Sequence, residues 1–226
     1  MSGVIKILSA GAVQPGLAKV IETFRRESGH DVEVTFATAP AIRKRLGTGE
    51  SPDVLIAPLD LLDELAQAGK IGEQVAIGRI GVGVMVREGS PTPKIATVDE
   101  LKQSLIGVES VVYNQASTGI YLEGLFKRLG IGEEVKTKTT RYPDAAAVIE
   151  HVSRGKGKEI GFGALTVIIE AREKGLRLAG PLPADVQNYT TYAATTFAGA
   201  GGAARELVRY LTTPAAKAVF AAAGID

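Results

Sequence analysis

The stretch Val4 to Gly16, VIKILSAGAVQPG, constrains the fold more than any other part of the chain. It is a short apolar run that ends in small residues and passes directly into a helical pattern. Leu17, Val20, Ile21 and Phe24 recur at helix spacing, and Gly29 supplies the stop. The same unit then repeats. Val32, Val34 and Phe36 alternate as a strand, and Thr38-Ala39-Pro40 opens a helix over Ile42 to Leu46. Ser51-Pro52-Asp53 reads as a turn before a buried strand, Val54 to Ala57, and Asp60 is placed to cap a helix running to about Ala68. Parallel strands need a crossover, and the crossover is usually a helix, so three such alternations predict an α/β fold with mostly parallel sheets.

The rhythm changes at Val75 to Arg87, VAIGRIGVGVMVR, a long extended run followed by the proline-containing loop Glu88 to Pro93. A strand of this length suits a passage from one sheet into a second. A helix is then predicted near Val98 to Leu105, with Thr97 or Asp99 as its cap, and a strand over Ser110 to Tyr113. Asn114 to Gly119 leads into a helix whose apolar face is Leu122, Leu125, Phe126 and Leu129. A strand over Val135 to Thr140, a helix opened by Arg141-Tyr142-Pro143-Asp144, a strand over Ile160 to Phe162 and a helix starting at Gly163-Ala164-Leu165-Thr166 follow. Gly180-Pro181-Leu182-Pro183 reads as a loop, and Tyr189 to Phe197 as a return strand. Two closing helices carry Leu207, Val208 and Leu211, then Val219 and Phe220 after Pro214. Placing these last elements on the first sheet gives two lobes, residues 1–82 with 184–226 and residues 83–183.

Composition excludes several classes. At 226 residues and 45% hydrophobic content the chain can bury real cores. Its 26 basic and 25 acidic residues are interspersed, for a net charge of +1, which gives no basic face for nucleic acid. There is no cysteine, and His30 and His151 have no partner at metal-ligand spacing, so neither disulfide nor metal is expected. No run reaches the roughly 20 apolar residues of a membrane span. Met1-Ser2-Gly3 stands almost directly before the first strand. A chain made in that form would be cytoplasmic, and one from which a leader had been removed would be periplasmic.

The chemistry-bearing positions cluster where strands give way to helices. Open parallel sheets bind ligands at the carboxyl ends of their strands, and a helix N-terminus offers free N–H groups to an anion. The candidates are Ser9, Ala10, Gly11 and Ala12 in the first link, Thr38 and Ala39 in the second, and Ser117, Thr118 and Gly119 in the third. Gly163 and Ala164 form a fourth, and Arg141 with Tyr142 stands at a strand end where a guanidinium could hold a carboxylate by paired hydrogen bonds. Each has a plainer reading beside it: small residues let a helix pack closely, and Ser117 could be an ordinary cap. The glycines at 199, 201 and 202 are not followed by a βαβ unit, and no GxxxxGK[ST] loop is present, so no cofactor is expected.

Five segments carry a resemblance: SAGAVQPGLAKVIETFRRESGHDVEVTF, GESPDVLIAP, STGIYLEGLFKRLGI, KEIGFGALT and RELVRYLTTPAAKAVFAAAGID. Together they span nearly the whole chain and resemble the periplasmic-type solute-binding proteins of ABC importers, specifically the molybdate-binding family. The resemblance implies a two-lobed periplasmic-binding-protein-like fold with hinge strands near Gly81 to Val86 and Thr190 to Phe197, a small anionic ligand in the cleft, and an ABC permease as partner. Molybdate binders of this family present a hydroxyl after strand one and another after strand two, where this chain carries Ala12 and Thr38-Ala39-Pro40. A buried oxygen left without a donor costs about 1–3 kcal/mol, so a carboxylate is expected in place of molybdate. Some proteins resembling this family isomerise unsaturated tricarboxylic acids such as aconitate. On that alternative Tyr121, Glu123 and His151 are the candidate bases.

Overall fold

The structure is a computed structural model that describes residues 3–226. Met1 and Ser2, on which the reading of the chain start turns, lie outside the described residues. The chain forms two compact units. One runs up to Ile80 and resumes over Thr190–Asp226; the other is Gly81–Tyr189.

The first unit begins with β1 (Ile5–Ala10), a single 3-10 turn (Gly11–Val13) and α1 (Gln14–Ser28), then β2 (Val32–Ala37), α2 (Ala39–Gly47), β3 (Val54–Pro58) and α3 (Leu59–Gln67). β1 is central and pairs in parallel with both β2 and β3, with Ala10 level with Ala37 at the carboxyl edge. Leu17, Val20, Ile21 and Phe24 of α1 are at most 2% exposed and face this sheet. Full burial of such side chains contributes about 1.5–3 kcal/mol each. Gly29 ends the helix in the left-handed region, at φ 71°, where its N–H reaches Arg25 O. Asp60, expected to cap α3, does not: Pro58 occupies the cap position, and Asp60 turns instead to the Arg43 guanidinium at 3.2 Å.

The long strand β4 (Val75–Arg87) carries the chain from the first unit into the second. The second unit continues with α4 (Val98–Gly107), β5 (Ser110–Asn114), α5 (Ser117–Arg128), α6 (Gly132–Lys136), β6 (Thr139–Tyr142), α7 (Ala145–Arg154), β7 (Glu159–Ala164), α8 (Leu165–Glu170) and β8 (Leu176–Pro181). β5 is flanked in parallel by β6 and β7, whereas β4 runs antiparallel to β7 and β8. The α4 start is a reciprocal cap, with Thr97 Oγ1 accepting from Glu100 N–H and Glu100 Oε2 accepting from Ala96 N–H.

Two segments of this unit differ from the sequence expectation. Val135 lies on the short helix α6, not on a strand. Its N–H bonds Ile131 O, and Ile131 and Val135, four residues apart, drop into the core at 4% and 1% exposure. Gly180 and Pro181 end a strand, β8, that was expected to be loop. Residues 184–189 also belong here, because Tyr121 Oη donates to Val186 O, and the Gln187 side chain bonds both the N–H and the C=O of Val82.

The chain returns to the first unit along β9 (Tyr189–Thr196), which pairs antiparallel with β3, and closes with α9 (Gly202–Tyr210) and α10 (Pro214–Ala222). Thr213 caps α10 by accepting from Ala216 N–H. α10 packs on α1 so closely that a Cβ on Gly16 would sit 2.7 Å from Phe220.

Candidate functional site

The start of α5 holds a set of unused donors. β5 ends at Asn114, and Gln115 N–H still donates to Tyr142 O, extending the ladder by one bond. Asn114 Oδ1 then accepts from Ala116 N–H at 2.9 Å, a side-chain turn that aims the chain into the helix. The first helical bond is Ile120 N–H to Ala116 O. Among the described residues, the N–H groups of Ser117, Thr118 and Gly119 have no acceptor, and the half-buried hydroxyls of Ser117 and Thr118 have no partner. These are the orphan donors of a helix N-terminus, aligned with the positive end of a 12-residue helix. Gly119 is required by close approach: a Cβ there would lie 1.7 Å from Asn114 O.

Arg141 and Tyr142 are consecutive on β6 and therefore face opposite sides of the sheet. Arg141 Nη1 meets Glu123 of α5 at 2.7 Å, with both side chains partly exposed. Tyr142 instead shares a hydrogen bond with His151 Nδ1 of α7 at 2.9 Å. The structure thus places Arg141 on the α5 side and Tyr142 on the α7 side. The start of α7 is closed by its own carboxylate, Asp144, which accepts from Ala147 N–H. Gly163 and Ala164 end β7 beside β4, paired with Gly83 and Val82, and α8 beyond them is only six residues long.

In the first unit the links are sparser. Ser9 is fully buried, and its hydroxyl turns to Ala10 O at 3.3 Å. The 3-10 turn already uses one helix-start donor, with Gln14 N–H bonded to Gly11 O. A Cβ on Gly11 would meet nothing within 4 Å, so its small size leaves open space and is not a packing need. Ala12 is half-buried next to it, and Ala10 is buried. Thr38 caps α2 in extended conformation without a side-chain cap bond. Its half-buried hydroxyl has no partner among the described residues, and Ala39 behind it is buried.

The candidate bases all have partners. Tyr121 donates to Val186 O, Glu123 pairs with Arg141, and His151 bonds Tyr142. Burial pushes the Tyr192 hydroxyl up to about 12. Burial also raises Tyr113, which β5 carries just before Asn114, with the Glu123 charge adding to the effect. Arg43 is held on α3 by Glu64 and Asp60. Among the described residues no group of three or more His, Cys, Asp or Glu could hold a metal. None of their helices is long and apolar enough to cross a membrane.

Sequence reasoning passed over Asn114 as a site residue. The signal available was its position, the last residue of a strand before a Ser-Thr-Gly helix start, but a loop asparagine reads first as a turn former.

Two α/β units with orphan donors at the carboxyl ends of parallel strands have the ligand-site plan of open parallel sheets, and the fold is that of periplasmic-binding-type proteins. The family described as bacterial extracellular solute-binding protein matches residues 5–226, and the chain belongs to that family. An aconitate isomerase of Pseudomonas sp is 29% identical over 226 residues, covering 95% of this chain and 85% of that protein. The periplasmic molybdate-binding protein of Azotobacter vinelandii shares the fold at a TM-score of 0.80 and 17% identity, over 98% of each chain. PEB3 of Campylobacter jejuni, solved with L-phospholactate bound, does so at 0.75 and 14%, over 97% of this chain and 98% of that one.

Proposed function

We propose that this protein captures a small organic anion, a carboxylate and not molybdate or tungstate, and that the α5 start is its principal anchor. The observation that carries this reading is the set of unpartnered donors on Ser117, Thr118 and Gly119 at the positive end of α5. A carboxylate presents a compact pair of charged oxygens, which such a fork of N–H and hydroxyl donors can satisfy. A tetrahedral oxyanion needs a fuller shell. The strand-to-helix links of the first unit, taken by themselves, carry Ala12 in place of a hydroxyl, a buried Ser9, and Thr38 with a hydroxyl that makes no cap bond. In the family's setting the loaded protein would be read by a membrane permease. The test is a thermal-shift screen of di- and tricarboxylates against molybdate, sulfate and phosphate. Ligand at a hundred times its dissociation constant adds about 2.7 kcal/mol of stability. Stabilisation by molybdate alone contradicts the reading.

A second reading is supported by the aconitate isomerase relative: the same site turns over an unsaturated tricarboxylic acid. A base would take a proton from the methylene carbon, the negative charge would spread into the conjugated carboxylate beside the α5 donors, and the proton would return after rotation. Glu123 is the acidic candidate on α5, where its carboxylate lies 2.7 Å from Arg141 Nη1. Proton NMR of aconitate isomers with the protein decides this: no interconversion above the blank removes it.

A further inference from the structure

We propose that Asn114 determines specificity at the α5 site by donating its Nδ2 hydrogens to the bound anion, an inference that rests on the reading of that site given above. Asn114 is only 8% exposed, and few side chains of its polarity are so buried without a full set of partners. Its Oδ1 is committed to Ala116 N–H at 2.9 Å. Because Ala116 N–H can only donate, that bond fixes which end of the carboxamide is oxygen and which is nitrogen. Nδ2 is left with no acceptor among the described residues, yet it is not sealed off from solvent as Arg87 Nε and Ser90 Oγ are. A buried side chain with one unused donor, not wholly sealed from solvent, beside a helix start is a group held ready for an acceptor.

The chemistry of the group narrows the ligand. With Oδ1 engaged, Asn114 presents only hydrogens, as do the N–H groups of Ser117, Thr118 and Gly119. A fully ionised oxygen satisfies such a set, and the Ser117 and Thr118 hydroxyls can turn their own hydrogens to it. The site therefore suits a carboxylate, whose oxygens carry no hydrogen in the neutral range. The register reinforces the placement: Asn114 pairs with Tyr142, whose carbonyl receives Gln115 N–H, so the asparagine backbone is clamped on both sides of the side chain.

Two substitutions separate the donor from the turn. Asn114→Asp keeps the acceptor that holds Ala116 N–H and replaces the donor by a charged oxygen. Asn114→Ser keeps an acceptor for the same turn and adds no charge. Titration of each variant, and of wild type, with citrate and aconitate by calorimetry is read beside the melting temperature without ligand. The inference expects melting within a few degrees of wild type for both. It expects carboxylate affinity to fall roughly tenfold for Asn114→Ser, and further for Asn114→Asp, as loss of a charge-assisted hydrogen bond implies. Wild-type affinity in either folded variant overturns it. If Ser117→Ala with Thr118→Ala weakens binding while Asn114→Ser does not, the α5 site stands and the role of Asn114 falls. If wild type binds neither acid nor any other carboxylate, the functional reading fails and this inference with it.

Discussion

The links after β1 and after β5 start from the same plan and end differently. Each passes from a buried parallel strand, through small residues, into a helix whose apolar face covers the sheet. After β1 the chain spends its polar groups internally: Ser9 is buried against Ala10 O, and a 3-10 turn takes up Gln14 N–H. After β5 the side chain of Asn114 makes the turn instead, and the donors of Ser117, Thr118 and Gly119 stay open. The difference lies in which group satisfies the turn. A backbone turn consumes helix-start donors, while a side-chain turn leaves them for something else.

The comparison can be broken in four places. The largest effect belongs to Gly119→Ala, because its Cβ would fall 1.7 Å from a backbone carbonyl that cannot move without tearing β5 from α5. A loss of more than about 3 kcal/mol in chemical denaturation is expected; near-wild-type stability would mean that the close approach is not real. Next, Ser117→Ala with Thr118→Ala should leave the fold intact and weaken carboxylate binding about 100-fold, at about 1.5 kcal/mol for each charge-assisted bond. Thr38→Val keeps shape at the α2 start, where no cap bond is made. It should cost less than about 0.5 kcal/mol of stability and lower affinity for an anion held at the α2 start by up to about tenfold. Ser9→Ala is the smallest. A buried hydroxyl with one long bond should change stability by under about 1 kcal/mol and leave affinity untouched. A large loss of affinity there would erase the contrast between the two links.

Much of the fold was legible because its signals are local. The apolar spacing of Leu17 to Phe24, the stop at Gly29 and the helix start at Pro214 each specify an element from a few neighbouring residues. What stayed hidden depends on partners distant in sequence or on competing local signals. Val135 precedes a threonine-rich run and reads as strand, yet it lies on a helix that buries it on the same face as Ile131. Gly180 and Pro181 read as loop, but β8 pairs only with β4, so the missing proline N–H leaves no ladder broken on its other side. At the site, the Ser-Thr-Gly helix start was readable as a donor cluster. That Glu123 would engage Arg141, or that consecutive Arg141 and Tyr142 would part to α5 and α7, follows from packing that no short pattern encodes.

Above all we propose that the α5 start binds a carboxylate. Calorimetric titration of wild type and of Ser117→Ala with Thr118→Ala, using aconitate, citrate and molybdate, decides it. A tricarboxylate should bind wild type more tightly than molybdate does, and the double substitution should weaken that binding about 100-fold. Molybdate binding wild type more tightly than either acid, or a double variant that binds the acid as wild type does, would contradict it.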